Sequence, residues 1–128
     1  MVPADLQQHD WVVYKMTSGA VELTKGSLSY SVAVKGGITT NNAAARTAFI
    51  EGGHGLGRIP VYDARPKIQA GSLELVLEDY KLKDIDIYGV FPPGSATSKK
   101  LRLLLDYLKA YFIKIERQTP NVMPHGRR

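Results

Sequence analysis

The chain has 128 residues, enough for one ordinary domain, and its 44% hydrophobic and 23% charged residues are the composition of a globular protein. It has no cysteine, which excludes disulfides and thiolate metal sites, and no apolar run approaches the roughly 18 residues of a membrane span. The net charge of +5 is scattered, with small clusters only at "SKK" (98–100), Arg102 and the terminal "HGRR", so it predicts a solvated surface rather than a nucleic-acid interface.

The opening "MVPADLQQHDW" lacks the basic start and apolar stretch of a secretory signal, and a cytoplasmic protein is the expectation. "WVVYK" (11–15) is a short apolar run and predicts a strand, closed by the turn "TSG". Two further strands are predicted on either side of Lys25 and Gly26. In the second, Leu28, Tyr30, Val32 and Val34 alternate with Ser27, Ser29, Ser31 and Ala33. "GGITTNN" then leads into an alanine-rich helix over residues 41–51, for which Thr39, Thr40 or Asn41 can serve as the cap.

"GGHGLGRIP" (52–60) has four glycines in six residues. A dinucleotide loop needs G-x-G-x-x-G between a strand and a helix. Here Gly53, Gly55 and Gly57 give G-x-G-x-G, after a helix and before an apolar run, and no P-loop pattern occurs. These glycines are therefore expected to stop a helix and lead into a short strand around residues 56–61. In the following stretch Pro66 allows at most a short helix on either side, and Gly71 ends it. Leu73, Leu75 and Leu77 alternate with Glu74, Val76 and Glu78, and "DIDIYGVFPP" (84–93) predicts a last strand before the loop "PPGSATS". Leu101, Leu104, Leu105, Leu108, Phe112 and Ile115 then form one continuous helical face, widened by Leu103, Tyr107 and Tyr111. The tail "TPNVMPHGRR" is expected to be disordered. Alternating strands and helices imply an α/β sheet with helices on its faces.

Little in the chain points to catalysis. His9, His54 and His125 have no partner at ligand spacing, Asp84 and Asp86 read as an edge feature, and there is no G-x-S-x-G elbow. No cofactor or metal is expected. The segment "GGITTNNAAART" stands apart, because hydroxyl and amide side chains cluster at a helix N-terminus, where free N–H groups suit an anion. On the pattern alone, an ordinary N-cap with spare polar residues is the favoured reading of the same residues.

Taken in order, "NNAAARTAFIEGGHGLGRIPVYDARPKIQAGSLELVLEDY" and "IDIYGVFPPGSATSKKLRLLLDYLKAYF" resemble the C-terminal part of the effector-binding domain of LysR-type transcriptional regulators. Gly55, Leu56, Gly57 and Pro60 stand in the family's G-x-G-I-x-x-x-P turn and strand. Gly71, Leu73, Val76 and Leu77 fit its G-x-L-x-x-V-L, and Tyr88 with Pro92 the apolar strand ending Y-x-x-Y-P. Ser98, Lys100, Arg102, Asp106, Tyr107 and Leu108 fit its final helix. The resemblance covers residues 6 to about 112. The stretch after Gly57 is about two residues shorter than usual, and Arg58 replaces an aliphatic residue. The family's helix-turn-helix, linker helix and first effector subdomain are not among these residues.

The resemblance implies a periplasmic-binding-protein-like (type 2) α/β fold. Residues 6–93 would be the second effector-binding subdomain, 94–117 the amphipathic helix returning to the first, and 118–128 a disordered tail. It also implies a non-enzymatic role: binding a small, anionic effector in a cleft, with Met16, Thr17, Thr39, Thr40 and Asn41 as candidate contacts. Partners would be the effector and a second copy or a full-length relative, through the helix at 41–51 or the last helix. No direct DNA contact by this segment and no membrane is implied. The alternative is a stand-alone interaction module that pairs with full-length regulators without sensing a ligand. An apolar face on the last helix without its cover predicts self-association.

Overall fold

The structure is a computed structural model that describes residues 1–117 and 123–126. It is mixed α/β with small sheets. The chain divides into two units, one of Met1–Lys83 with Asn121–Arg128, the other of Asp84–Pro120.

In the first unit a 3-10 helix, Pro3–Gln8, precedes β1 (Val12–Tyr14). The hairpin of β2 (Ala20–Lys25) and β3 (Leu28–Ala33) follows, in register from Ala20 opposite Ala33 to Lys25 opposite Leu28. Its two-residue turn works because Gly26 takes φ +60, a conformation that costs glycine little. β4 (Ile38–Thr40) then pairs with β1 in parallel, Val12 opposite Ile38 and Tyr14 opposite Thr40. A parallel strand buries both faces. Trp11 accordingly packs with Leu6, Val21, Leu23, Val32 and Leu56, while Val12 packs with Ile50, Ile59, Ala64 and Leu73.

Helix α1 (Ala43–Glu51) is capped by Asn42, whose side chain accepts the Ala45 N–H at 2.9 Å. The expected caps Thr39, Thr40 and Asn41 lie one or more residues too early. The glycines do end α1. The His54 N–H reaches the Phe49 carbonyl, the Gly53 N–H reaches Ile50, and Gly53 sits at φ +79, while the Phe49 and His54 rings meet edge to face. That is a Schellman turn with its accompanying side-chain contact. Gly55 passes against the Asp10 backbone, and a Cβ at Gly57 would collide with Ile50.

The strand expected at 56–61 shrinks to one parallel bridge, Trp11 with Leu56, because helix α2 (Val61–Gln69) begins directly after Pro60. Nor does Pro66 break α2. The ring removes one intrahelical donor, a cost of about 3 kcal/mol in a free helix. Here the helix is held from outside, by buried Ala64 and partly buried Ile68 on its inner face and by ties from Asp63 and Lys67 to α1. α2 ends in a second Schellman turn, with the Ser72 N–H on Lys67, the Gly71 N–H on Ile68 and Gly71 at φ +77.

β5 (Leu73–Val76) does not continue the expected alternation. Val76 and Leu77 are both buried because Leu77 turns to φ +57. β6 (Lys81–Leu82) joins the hairpin beside β2. β7 (Met123–Gly126) pairs antiparallel with β5, which replaces the expected disorder at those positions. Residues 118–122 and 127–128 of that expected tail lie outside the described residues.

The second unit holds helix α3 (Lys99–Arg117), as predicted, preceded by Ser98, whose carbonyl accepts the Arg102 N–H. The strand expected within 84–93 does not form. Ile85, Ile87, Tyr88 and Val90 are all well exposed there, and among the described residues no strand pairs with them. On α3, Leu103, Leu104, Tyr107, Leu108 and Tyr111 are exposed. Among the described residues no helix is long and apolar enough to cross a membrane.

Candidate functional site

Because β1 and β4 run in parallel, their C-terminal ends lie at the same edge. The loop after β1 carries Met16 and Thr17, and the segment after β4 carries Asn41. The Lys15 N–H donates to the Thr40 carbonyl at 2.9 Å and so ties the two exits together. Helix α1 starts there too. Ligands of open parallel sheets collect outside the carboxyl ends of the strands, where helix N-termini supply free donors.

The candidate side chains differ in what they have free. The Thr40 hydroxyl accepts the Asn42 N–H at 3.1 Å and so shapes the turn into α1. Thr39, opposite Val13 in β4, and Asn41 are exposed. The N–H groups of Ala43 and Ala44 have no acceptor among the described residues, and the first turn of α1 contains no carboxylate to compete for them. Met16 is 74% exposed. Thr17 is committed: its hydroxyl donates to the Tyr14 carbonyl at 2.8 Å and accepts from Arg58 at 2.7 Å.

Arg58 is visible in the sequence only as a departure from the family pattern. Its guanidinium reaches back over 38 residues and more to the loop between β1 and β2. Nη2 donates to the Thr17 hydroxyl and the Ser18 carbonyl, and Nη1 to the Ala20 carbonyl at 3.2 Å. Burial pushes its pKa below the ordinary arginine value, and the group remains a cation. No carboxylate among the described residues pairs with it. With Thr17, Val34 and the 11–14 stretch it lines a cavity of about 10 Å³, room for one water at most.

A second arginine braces the same edge. Arg46, on α1, is only 4% exposed. Its guanidinium carbon lies 4.9 Å from the centre of the Tyr14 ring, at the end of β1. Its Nη2 stands 3.4 Å from the Thr47 hydroxyl and 3.7 Å from the Asp63 carboxylate on α2, and its Nε has no partner. Thr47 completes the group by donating to Asp63 at 2.8 Å. In the sequence, Arg46 is one charge in an alanine run, and nothing in the helical pattern marks it as buried.

The polar groups here are arginines, threonines and backbone donors, and among the described residues no cluster of three His, Cys, Asp or Glu could hold a metal ion. What the edge offers is hydrogen-bond donors and positive charge.

The family described as LysR substrate binding domain matches residues 1–113. The HTH-type transcriptional activator AaeR of Escherichia coli (strain K12) is 24% identical over 127 residues, which are 98% of this chain and 40% of the activator. The HTH-type transcriptional activator TtdR of the same strain is 30% identical over 110 residues, 84% of this chain and 35% of that protein. The uncharacterized HTH-type transcriptional regulator YcaN, also of that strain, is 29% identical over 107 residues, with the same coverage of 84% and 35%. The chain therefore spans 40% or less of the length of these relatives, all of which are named as transcriptional regulators rather than enzymes.

Proposed function

The chain belongs to the family of LysR substrate-binding domains, and from that membership we propose that it is the effector-sensing part of a bacterial transcription regulator with a periplasmic-binding-protein-like fold. It binds a small anionic molecule and catalyses no reaction. The site is the common exit of β1 and β4, made up of Met16 and Thr17 after β1, Thr39, Thr40 and Asn41 at the end of β4, and the open N–H groups at the start of α1. The protein works in the cytoplasm, where such regulators meet their promoters.

The observation that carries this reading is the parallel pairing of β1 with β4, which sets both candidate segments and the start of α1 at one edge. A ligand that binds only the folded chain raises its stability, by about 2.7 kcal/mol at one hundred times the dissociation constant. The test is thermal unfolding against a panel of aliphatic and aromatic carboxylates, each paired with its neutral amide. A saturable rise in melting temperature with an acid but not its amide, reduced by Asn41→Ala or Thr39→Val, is expected. If no acid in the panel gives a saturable rise, the sensing role is refuted.

A second reading has its own support. The apolar side chains exposed along α3 suit pairing with another copy or with a full-length regulator. Dimerisation that is indifferent to every acid would favour an interaction module.

A further inference from the structure

We infer that Arg58 is the charge-selecting residue of this site, taking the carboxylate of the effector on an N–H group that its own loop leaves free. The inference rests on the sensing role proposed above and adds to it the group that reads the ligand's charge.

The geometry is specific. A guanidinium has five N–H donors. Three of Arg58's go to Thr17, Ser18 and Ala20, which leaves two without a partner among the described residues. All three acceptors are neutral oxygens, and no carboxylate among the described residues stands within 4.0 Å of the group. A half-buried cation held by neutral acceptors keeps its charge uncompensated, and burial weakens the water screening that would otherwise satisfy it. The guanidinium is also rigid, since its three bonds hold the plane in one orientation. The two N–H groups left over are on Nε and Nη1 and do not form a fork, so a carboxylate takes one of them in a single charge-assisted hydrogen bond from a guanidinium already held in place. The cavity beside it is too small for anything beyond one water, so the ligand does not occupy it. Thr17, with its hydroxyl bound to both Tyr14 and Arg58, then acts as a positioning residue for the guanidinium.

The test needs no knowledge of the effector. The chain, labelled with nitrogen-15, is titrated with sodium acetate, and in parallel with acetamide and with sodium chloride at matched ionic strength. The Arg58 Nε–H resonance and the amides of residues 17–20 are expected to move saturably with acetate alone, with half-saturation on the order of 10 mM. Arg58→Gln is expected to abolish the movement of the loop amides, and Arg58→Lys to weaken binding about tenfold, because an ammonium cannot hold all three loop oxygens and still present a fixed donor. The wild-type Nε–H signal carries the test if either variant unfolds. Equal responses to acetate and chloride would overturn the inference, as would an acetate response that survives unchanged in Arg58→Gln. So would a response confined to the amides of Ala43 and Ala44, or none at all. The carboxylate panel decides separately: an acid that stabilises the wild type and Arg58→Gln equally leaves the sensing role standing and removes Arg58 from it.

Discussion

Replacing Asp63 with alanine strips a nearly sealed arginine of its counter-charge. Arg46 has its side chain 5% exposed and Asp63 34%, with 3.7 Å between Nη2 and the carboxylate. Removing one partner of a fully buried pair costs ~3–5 kcal/mol. The exposure of Asp63 and the length of the contact put this case lower, at about 2 kcal/mol. Thr47 also loses its acceptor, but its single proton can turn to the Ala43 carbonyl at 3.1 Å, so that loss adds about 0.5 kcal/mol. Asp63 sits in the first turn of α2, where a carboxylate adds roughly 0.5 kcal/mol through the helix dipole. Asp63→Ala should therefore destabilise the first unit by about 3 kcal/mol, a fall in melting temperature of about 12–24 °C.

The assay is urea unfolding followed by the fluorescence of Trp11. It is the only tryptophan, is 2% exposed, and holds its ring N–H on the Leu6 carbonyl at 2.8 Å. It therefore reports the first unit alone. Arg46→Met, which removes the charge and keeps much of the volume, should cost about 1 kcal/mol or less. In the double variant the second change should recover at least ~1 kcal/mol of what Asp63→Ala loses. Strictly additive losses, or an Asp63→Ala cost below about 0.5 kcal/mol, would show that Arg46 finds water and that the brace between Tyr14 and α2 is not electrostatic.

Three further outcomes follow from other parts of the chain. Gly36→Ala should prevent folding of the first unit, because the added methyl would overlap the Trp11 carbonyl; Gly26→Ala meets no atom and should cost only about 1–2 kcal/mol for its left-handed turn, as read from the same urea curves. The Glu51 carboxyl is held below its ordinary value of 4.5 by hydrogen bonds from Lys67 and Ser72. Its contribution is thus complete above pH 4.5 and is lost as pH falls through the lower folded-state value, so Glu51→Gln should flatten the acid limb of a stability-against-pH curve and leave the neutral region little changed in shape. Finally, light scattering at high concentration should give a mass well above the 14.1 kDa of one chain, and Leu104→Glu with Leu108→Glu should bring it back; a sharp monomer mass for the unaltered chain would refute association through α3.

Patterns confined to neighbouring residues are legible in the sequence. The β2–β3 hairpin follows from alternation around Gly26, α3 from its helical apolar repeat, and the end of α1 from the glycines after Glu51. Each of these depends on forces between residues close along the chain. The failures share an opposite cause. Residues 84–90 carry strand-like residues but find no strand to pair with among those described, and a strand is defined by its partner. Pro66 sits inside a helix because contacts from α1 and the core hold it there. The site divides in the same way. A cluster of threonines and asparagines before a helix marks one edge in the sequence. That β4 lies beside β1, so that Thr40 meets the loop after Tyr14, is a matter of parallel pairing across more than twenty residues.

The sequence by itself determined where the chain bends, which stretches are apolar on one face, and which family pattern those stretches spell. Only the tertiary structure decided that Arg46 is sealed against Tyr14 and Asp63, and that Arg58 returns to Thr17, Ser18 and Ala20 with donors to spare. A local pattern records a residue's polarity. Whether a charge is solvated, paired or left without a counter-ion depends on which distant segments fold around it.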